Sequence, residues 1–519
     1  MGVQGAEDNG DGTVTLVMRE TDWDYQWNLK GNCFPSVPEY IENALELLDE
    51  EGEWYLDSHE GFLYYKPRVF ERMDEVQVTL PICEKMIHLA GKSAFEPIRN
   101  IEFRGLVFEN TTWNAPSDPG GFCCGQNNKY PKGEEAFIVG AVHVENANRV
   151  NFLGCRFLRL GMTGLKMIGG LKNCDIIGNE FFDISAGALV VGDVTANTAH
   201  NPPDEAFYVE NIRVTDNYMH QIAVDFKGGA CLSTGFPRNS VLLHNEIYDT
   251  AYSGMHLGWG WNSYSVSVTQ DFTVKANYIH KILNTDIYDG GGVYFLGRTN
   301  GSPEHPNRFE ENYLYDIGNA YGMIYPDNGS TNWDILSNVC DLTKTPVWHR
   351  NYEEGDEGYD YAARWLHIHM STITDIYMDN NYTTTDTALN NGVVNVVLKN
   401  LHVHPDAMWP QEAKEIIARS GPRERYADAF CHGLQEVDVR ETVVLSKGET
   451  EPIQMRVLTR KEKLYDDVNY KVYSVSKNPG VATMENGVIT AHSAGETEII
   501  VYVKEGEILK TKTVTVTVE

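Results

Sequence analysis

The chain has 519 residues and carries 42 Lys+Arg against 74 Asp+Glu, a formal net charge of -32. That is longer than one hydrophobic core usually serves, so several domains or a repeat fold are expected. The charge repels nucleic acid and anionic membrane surfaces while a neutral sugar is compatible with it, although an acidic surface also simply keeps a protein in solution.

The opening Met1-Gly2-Val3-Gln4 lacks the basic and apolar regions of a signal peptide, so an exported form is expected to have lost its signal. No run approaches the roughly 18 apolar residues of a membrane span, and no membrane insertion is expected. Residues 1–100 read as a β-rich cap: Thr13 to Val17 alternates, and Glu53 to Asp57 with Phe62 to Tyr65 reads as a hairpin around Glu60-Gly61. Rungs of a repeat begin at Ile101 and are expected to run to about residue 425. An apolar-Asn-aromatic phrase recurs around Asn179, Asn217, Asn245, Asn277, Asn312 and Asn338. Between successive copies lies a second phrase opened by Gly164, Gly187, Gly229, Gly254, Gly292 and Gly322.

Short strands with Asn in one column are what a right-handed parallel β-helix needs, because stacked Asn side chains satisfy one another at a tight corner. The uneven steps between them exclude a β-propeller, whose blades repeat at a steadier interval of about 40 residues. A helix-like stretch from Gln411 to Ser420, before Gly421-Pro422, closes the repeat. From Glu436 to Glu519 evenly spaced strands with an Asn486-Gly487 turn read as a β-sandwich. The nine cysteines, at 33, 83, 123, 124, 155, 174, 231, 340 and 431, show neither CxxC pairs nor His partners at metal spacing. Neither a zinc site nor a disulfide framework is expected, and no cofactor.

Candidate chemistry comes from the columns. After each glycine the first and third positions are apolar (Leu165/Met167, Ala188/Val190, Ala230/Leu232, Met255/Leu257, Val293/Phe295, Met323/Tyr325) and are expected inside. The second position, Lys166, Leu189, Cys231, His256, Tyr294 and Ile324, is then outside, and the fifth puts Trp259 and Asp327 in one column at the strand's exit. Counting back from the Asn, Asp334 shares a column with Asp175, Arg213, Val241, Thr273 and Arg308, and the next column, Ile176 to Ile335, is core. Asp334 therefore points outward, and with Asp327 it flanks the turn Asn328 to Asn332. Two carboxylates so held could lie near the roughly 5 Å separation of a retaining glycosidase. Asp-Asn-Gly-Ser is equally a turn signature in which Asp bonds its own backbone. Asp289 precedes three glycines that leave room for a ligand. His256, Tyr294, Tyr325 and the Gly-spaced Trp259 and Trp261 complete the candidate substrate contacts.

Two resemblances follow from these residues. Val475 to Thr483, Gly487-Val488-Ile489-Thr490-Ala491 and Gly495 to Ile499 resemble a bacterial group 2 Ig-like domain, a spacer of cell-surface or secreted proteins, which implies an extracellular or surface-attached protein. Trp54 to Asp57 with Leu63 to Pro67, Tyr252 to Trp261, Asp289 to Tyr294 and Ile324 to Ser330 resemble glycoside hydrolase family 136, the lacto-N-biosidases of gut bacteria, over roughly residues 40 to 420. The seven-residue step between Asp327 and Asp334 is similar to that family's catalytic pair, which implies Asp327 as acid/base and Asp334 as nucleophile of a retaining reaction. The implied substrate is a milk oligosaccharide of the lacto-N-tetraose type, from whose non-reducing end lacto-N-biose, Galβ1-3GlcNAc, is released. Family members resemble two-part enzymes with a helical accessory or chaperone-like domain or subunit, and this sequence shows none.

A β-helix β-xylosidase or fucosidase shares the scaffold and uses acids on other rungs. A non-catalytic glycan-binding adhesin would bind without turnover. A calcium-dependent polysaccharide lyase would need an outward acidic triplet beside Arg or Lys, which the columns do not offer.

Overall fold

The computed structural model describes residues 2–20, 41–113, 126–128, 140–194, 202–259, 265–285, 287–318, 320–350, 359–370, 372–392, 394–430, 433–459 and 470–519. Most of them form a parallel β-helix whose coils each contribute a strand to three sheets. The first sheet stacks Leu189–Val191, Leu232–Thr234, Met255–Leu257, Gly291–Phe295, Gly322–Pro326, Leu366–Ile368 and Ala388–Asn390. The second stacks Asp175–Ile177, Arg213–Thr215, Ser240–Leu243, Phe272–Lys275, Asn307–Glu310, Thr331–Leu336, Thr374–Asp379 and Val394–Leu398. The third runs from Val107–Glu109 through Tyr218–Ile222 and Tyr278–Ile282 to His402–Val403. At the N-terminal end Gly140–Leu153 and Thr163–Lys172 are long enough to serve the first sheet and then the second.

The corner between the second and third sheets is built by the asparagines. Asn179 Nδ2 donates to Asn217 Oδ1 at 2.9 Å, and the same bond repeats from Asn217 to Asn245, Asn277, Asn312, Asn338 and Asn381. Each Asn backbone N–H donates to the next Oδ1, and each Nδ2 also reaches a carbonyl of the preceding coil, such as Leu242 O from Asn277. The residue before each Asn (Gly178, Asp216, His244, Ala276, Glu311, Ser337 and Asn380) has φ between 54° and 67°. A left-handed residue turns the chain through the corner in one step, and the Asn side chain then bonds backbone groups that no strand can reach.

The interior is a continuous apolar stack that includes Leu165, Leu189, Leu232, Met255, Val293 and Ile324 from the first sheet and Ile176, Val214, Leu242, Val274, Phe309 and Ile335 from the second. The second-sheet columns have the register read from the sequence: Asp175, Arg213, Val241, Thr273, Arg308 and Asp334 are lateral neighbours. In the first sheet three rungs are shifted, those read at Leu189 and Ile324 by one residue and that read at Cys231 by two. The outward column is Lys166, Val190, Ser233, His256, Tyr294 and Tyr325, so Leu189 and Ile324 face the core and Tyr325 does not. Glycine is a poor register mark here, because Gly322 pairs with Gly291 rather than with Gly292. Trp259 and Asp327 therefore do not share a column: Leu257 aligns with Phe295 and Phe295 with Pro326, which places Asp327 level with Gly258.

The helix closing the repeat spans Gln411–Arg419 and buries Ala413 and Ile416 against Val339 and Tyr382. The first hundred residues divide differently from a single cap. Ile87–Ala90 and Ile98–Arg104 already pair in the coil, whereas the hairpin Trp54–Asp57/Phe62–Tyr65 belongs to a second compact unit with the C-terminal sandwich. Inside that unit Phe70 stacks on Tyr473 at 4.4 Å, an apolar contact that ties two segments distant in sequence. The sandwich contains the antiparallel pair Ala482–Glu485/Val488–Ala491, turned by Asn486 and Gly487 at φ 50° and 76°.

Asn277→Ala strands the Asn245 amide groups and Leu242 O inside the coil. A loss of about 2–4 kcal/mol in denaturant unfolding is expected, with the far-ultraviolet circular dichroism of the folded protein unchanged.

Candidate active site

The outer face of the first sheet carries a second, separate aromatic cluster: Val190, Trp259, Tyr294, Tyr321, Tyr325, Trp348 and Tyr361 are all buried on it. Adjacent rungs set Tyr294 on Tyr325 at 4.5 Å and 14°, and His256 lies flat on Trp259 at 4.6 Å and 9°. Two carboxylates flank the tyrosine pair. Asp289, just before Gly291–Phe295, accepts from Tyr325 Oη at Oδ1 (2.9 Å) and from Gln126 Nε2 at Oδ2 (3.1 Å). Asp327, just after Gly322–Pro326, accepts at Oδ2 from Tyr294 Oη, and its Oδ1 is buried with no hydrogen-bond partner. Each acid is thus held by a tyrosine of the other's rung. Tyr252 Oη donates to the Asp289 carbonyl at 2.5 Å.

Asp327 acts on Asp289. Burial raises the Asp289 carboxyl above its ordinary range; hydrogen bonds from Tyr325 and Gln126 oppose the rise, and the negative charge of Asp327 adds to it. Buried phenols surround them, with Tyr252 and Tyr294 pushed well up by burial. His256 is pushed down to about 3 by burial and is neutral, and neither of its ring nitrogens has a hydrogen-bond partner. A face of aromatic rings with two buried acids and an uncharged imidazole suits a polar, uncharged ligand such as a sugar.

The structure brings together Asp289, Asp327, His256, Tyr294 and Tyr325 of the residues read from the sequence. Asp334 stands apart from this group: it lies half-buried on the second sheet, where burial raises its carboxyl, Arg308 opposes the rise and Glu310 adds to it. Trp259 is 0 % exposed and packs as a core indole of the aromatic cluster rather than as an open platform. Trp261 lies outside the described residues. Gln126, Tyr252 and His369, whose charge bears on Asp289, were not singled out from the sequence. Tyr252 heads a glycine phrase and so carried a signal; Gln126 comes from a long insertion with no periodicity to place it.

Two family models match parts of the chain: "GH141 insertion domain" over residues 17–68 and "Hyaluronate lyase, N-terminal beta-sheet domain" over residues 459–517. Among solved structures, a chain named "Glycoside hydrolase" is similar at 25% identity and a TM-score of 0.58, over 82% of this chain and 68% of its own. These likenesses support a glycosidase. No curated protein matches the chain. The matched insertion domain is that of family 141, whereas the sequence phrases resemble family 136, and the tail is similar to a lyase's β-sheet domain.

Because its folded carboxyl is raised, Asp289 contributes stability that is present below its unfolded pKa of about 3.9 and is lost as pH rises through the folded value. Asp289→Asn is therefore expected to melt at or above the wild-type temperature at pH 7, with the difference shrinking towards pH 4 in the same thermal scans. Trp259→Ala is expected to cost about 3–5 kcal/mol in denaturant unfolding, the cost of emptying a core site rather than of losing a surface platform.

Proposed function

We propose that the protein hydrolyses glycosidic bonds on the outer face of the first sheet, with Asp289 and Asp327 as its carboxyl pair. The observation that supports this most is the crossed arrangement: each acid is oriented by a tyrosine of the neighbouring rung, and Asp327 keeps one buried oxygen without a partner. Asp289, whose carboxyl is raised, is the acid that protonates the leaving oxygen. Asp327 is the carboxylate that attacks the anomeric carbon or activates water for that attack. The stacked tyrosines and His256 line the sugar's position, and a dry aromatic wall strengthens the electrostatic contrast between the two acids. The resemblance to family 136 supplies the substrate reading, a chain of the lacto-N-tetraose type ending in lacto-N-biose; the alternative reading as a β-xylosidase or fucosidase keeps xylosides and fucosides in the test panel.

The test is kinetic. Asp289→Asn, Asp327→Asn and Asp334→Asn are assayed on lacto-N-tetraose and on aryl lacto-N-biosides, xylosides and fucosides. The first two are expected to lose at least about a hundredfold in kcat, and Asp334→Asn to stay within about threefold. On an aryl substrate whose leaving group needs no proton, Asp289→Asn recovers the bond-breaking step and Asp327→Asn does not. Loss in Asp334→Asn with retention in Asp289→Asn would move the chemistry to the pair seven residues apart. Proton NMR of the first-formed sugar distinguishes retention from inversion.

A further inference from the structure

The outward column of the first sheet continues past Lys166 towards the N-terminal end, and there its chemistry changes. His88 on Ile87–Ala90 is the lateral neighbour of His143 on Gly140–Leu153, and Glu145, two residues further along that strand, points out of the same face. His88 Nε2 and His143 Nε2 lie 3.1 Å and 3.0 Å from the same oxygen, Glu145 Oε1, and the three ligand atoms lie within 4.8 Å of one another. We propose that His88, His143 and Glu145 form a binding site for a zinc-type divalent transition-metal ion that staples the first strand of the coil to its neighbour.

Three observations carry this. First, His143 is 3 % exposed, yet its Nε2 makes no hydrogen bond: the approach to Glu145 falls outside hydrogen-bond geometry. His88 Nε2 bonds Glu145 Oε1 while His143 Nε2 is turned to the same oxygen without bonding it, and metal bonds of about 2.0–2.1 Å in a tetrahedron likewise set neighbouring ligand atoms about 3.3 Å apart. Second, the His143 ring is oriented by its strand, with Nδ1 accepting from Gly140 N and Nε2 turned to Glu145 Oε1. The contact from Gly140 N to Nδ1 is long, 3.4 Å, and yields when the proton moves to that nitrogen. Third, the donors are two imidazoles and one carboxylate, and the His88 and Glu145 side chains are 46 % and 36 % exposed, so a solvent molecule can reach them. Lys85 and Lys166 stand near His143 and oppose any cation, so a hard ion held by charge alone is disfavoured against one that bonds to imidazole nitrogen.

The place gives the site its use. Among the described residues Ile87–Ala90 pairs in the first sheet with Gly140–Leu153 alone, and such an edge strand is the first to fray. Spacing motifs could not find the site because His88 and Glu145 are 57 residues apart.

The full chain is dialysed against a chelator and titrated with Co(II), followed by its visible d–d absorption, and with Zn(II), followed by melting temperature. One equivalent of Co(II) with a tetrahedral-type spectrum is expected, together with a rise in melting temperature with Zn(II). His88→Ala and Glu145→Gln, both at exposed or half-exposed positions, should weaken binding at least about tenfold, while His305→Ala, elsewhere on the coil, should not. Undiminished binding in His88→Ala, a sulfur-to-cobalt charge-transfer band marking cysteine ligands, or no binding up to about millimolar ion would each overturn the proposal. None of these readouts depends on glycosidase activity.

Discussion

Each asparagine from Asn179 to Asn381 sits at a corner where the backbone has left one sheet and not yet joined the next, and where no strand can pair its amides. A buried unpaired backbone group costs about as much as a lost hydrogen bond, so a coil without that side chain would open at this corner. With it, every rung is bound to the next by a side-chain bond and a backbone bond to the same oxygen, and the register of the whole stack descends from one column. The steps between successive members are 38, 28, 32, 35, 26 and 43 residues, so one corner is held while the others absorb insertions.

That division places the two candidate acids. The second and third sheets meet at the rigid corner, whereas the first sheet is entered and left through turns of variable length. Asp289 and Asp327 stand at opposite ends of adjacent first-sheet strands, one before Gly291–Phe295 and one after Gly322–Pro326, and only a strand of fixed length between them keeps both against the same tyrosine pair. The stiffness of the coil is therefore what pre-organises the pair, with the tyrosines as its second layer of support.

One column unites both ends of the face. From His88 and His143 through Lys166, Val190 and Ser233 to His256, Tyr294 and Tyr325, consecutive rungs present imidazole, amine, aliphatic, hydroxyl, imidazole and phenol groups at the same lateral position. A parallel stack repeats its backbone and not its side chains, so neighbouring rungs of one face can carry unrelated chemistry. The buried aromatic part suits the proposed sugar, and the His-Glu part, more open and beside two lysines, suits the proposed bond-forming metal.

The sequence by itself determined the coil, its Asn corner, the second-sheet register including the outward position of Asp334, the closing helix and the Asn486-Gly487 turn, because each follows from a local period or a turn residue whose conformation is its own. It also marked Asp289, Asp327, His256 and Tyr294 as outward polar residues. Which acids share one tyrosine pair was set by packing between coils. Glycine does not occupy a constant position in the first-sheet phrase, so the rung of Gly322 slips by one and turns Tyr325 from core to site. Burial of Trp259 and the seating of Gln126 against Asp289 come from segments packed across the face, and the joining of His88 to Glu145 comes from lateral pairing of strands. Periodicity along a chain reports the direction of a side chain and not what stands opposite it, because the partner is supplied by a different coil.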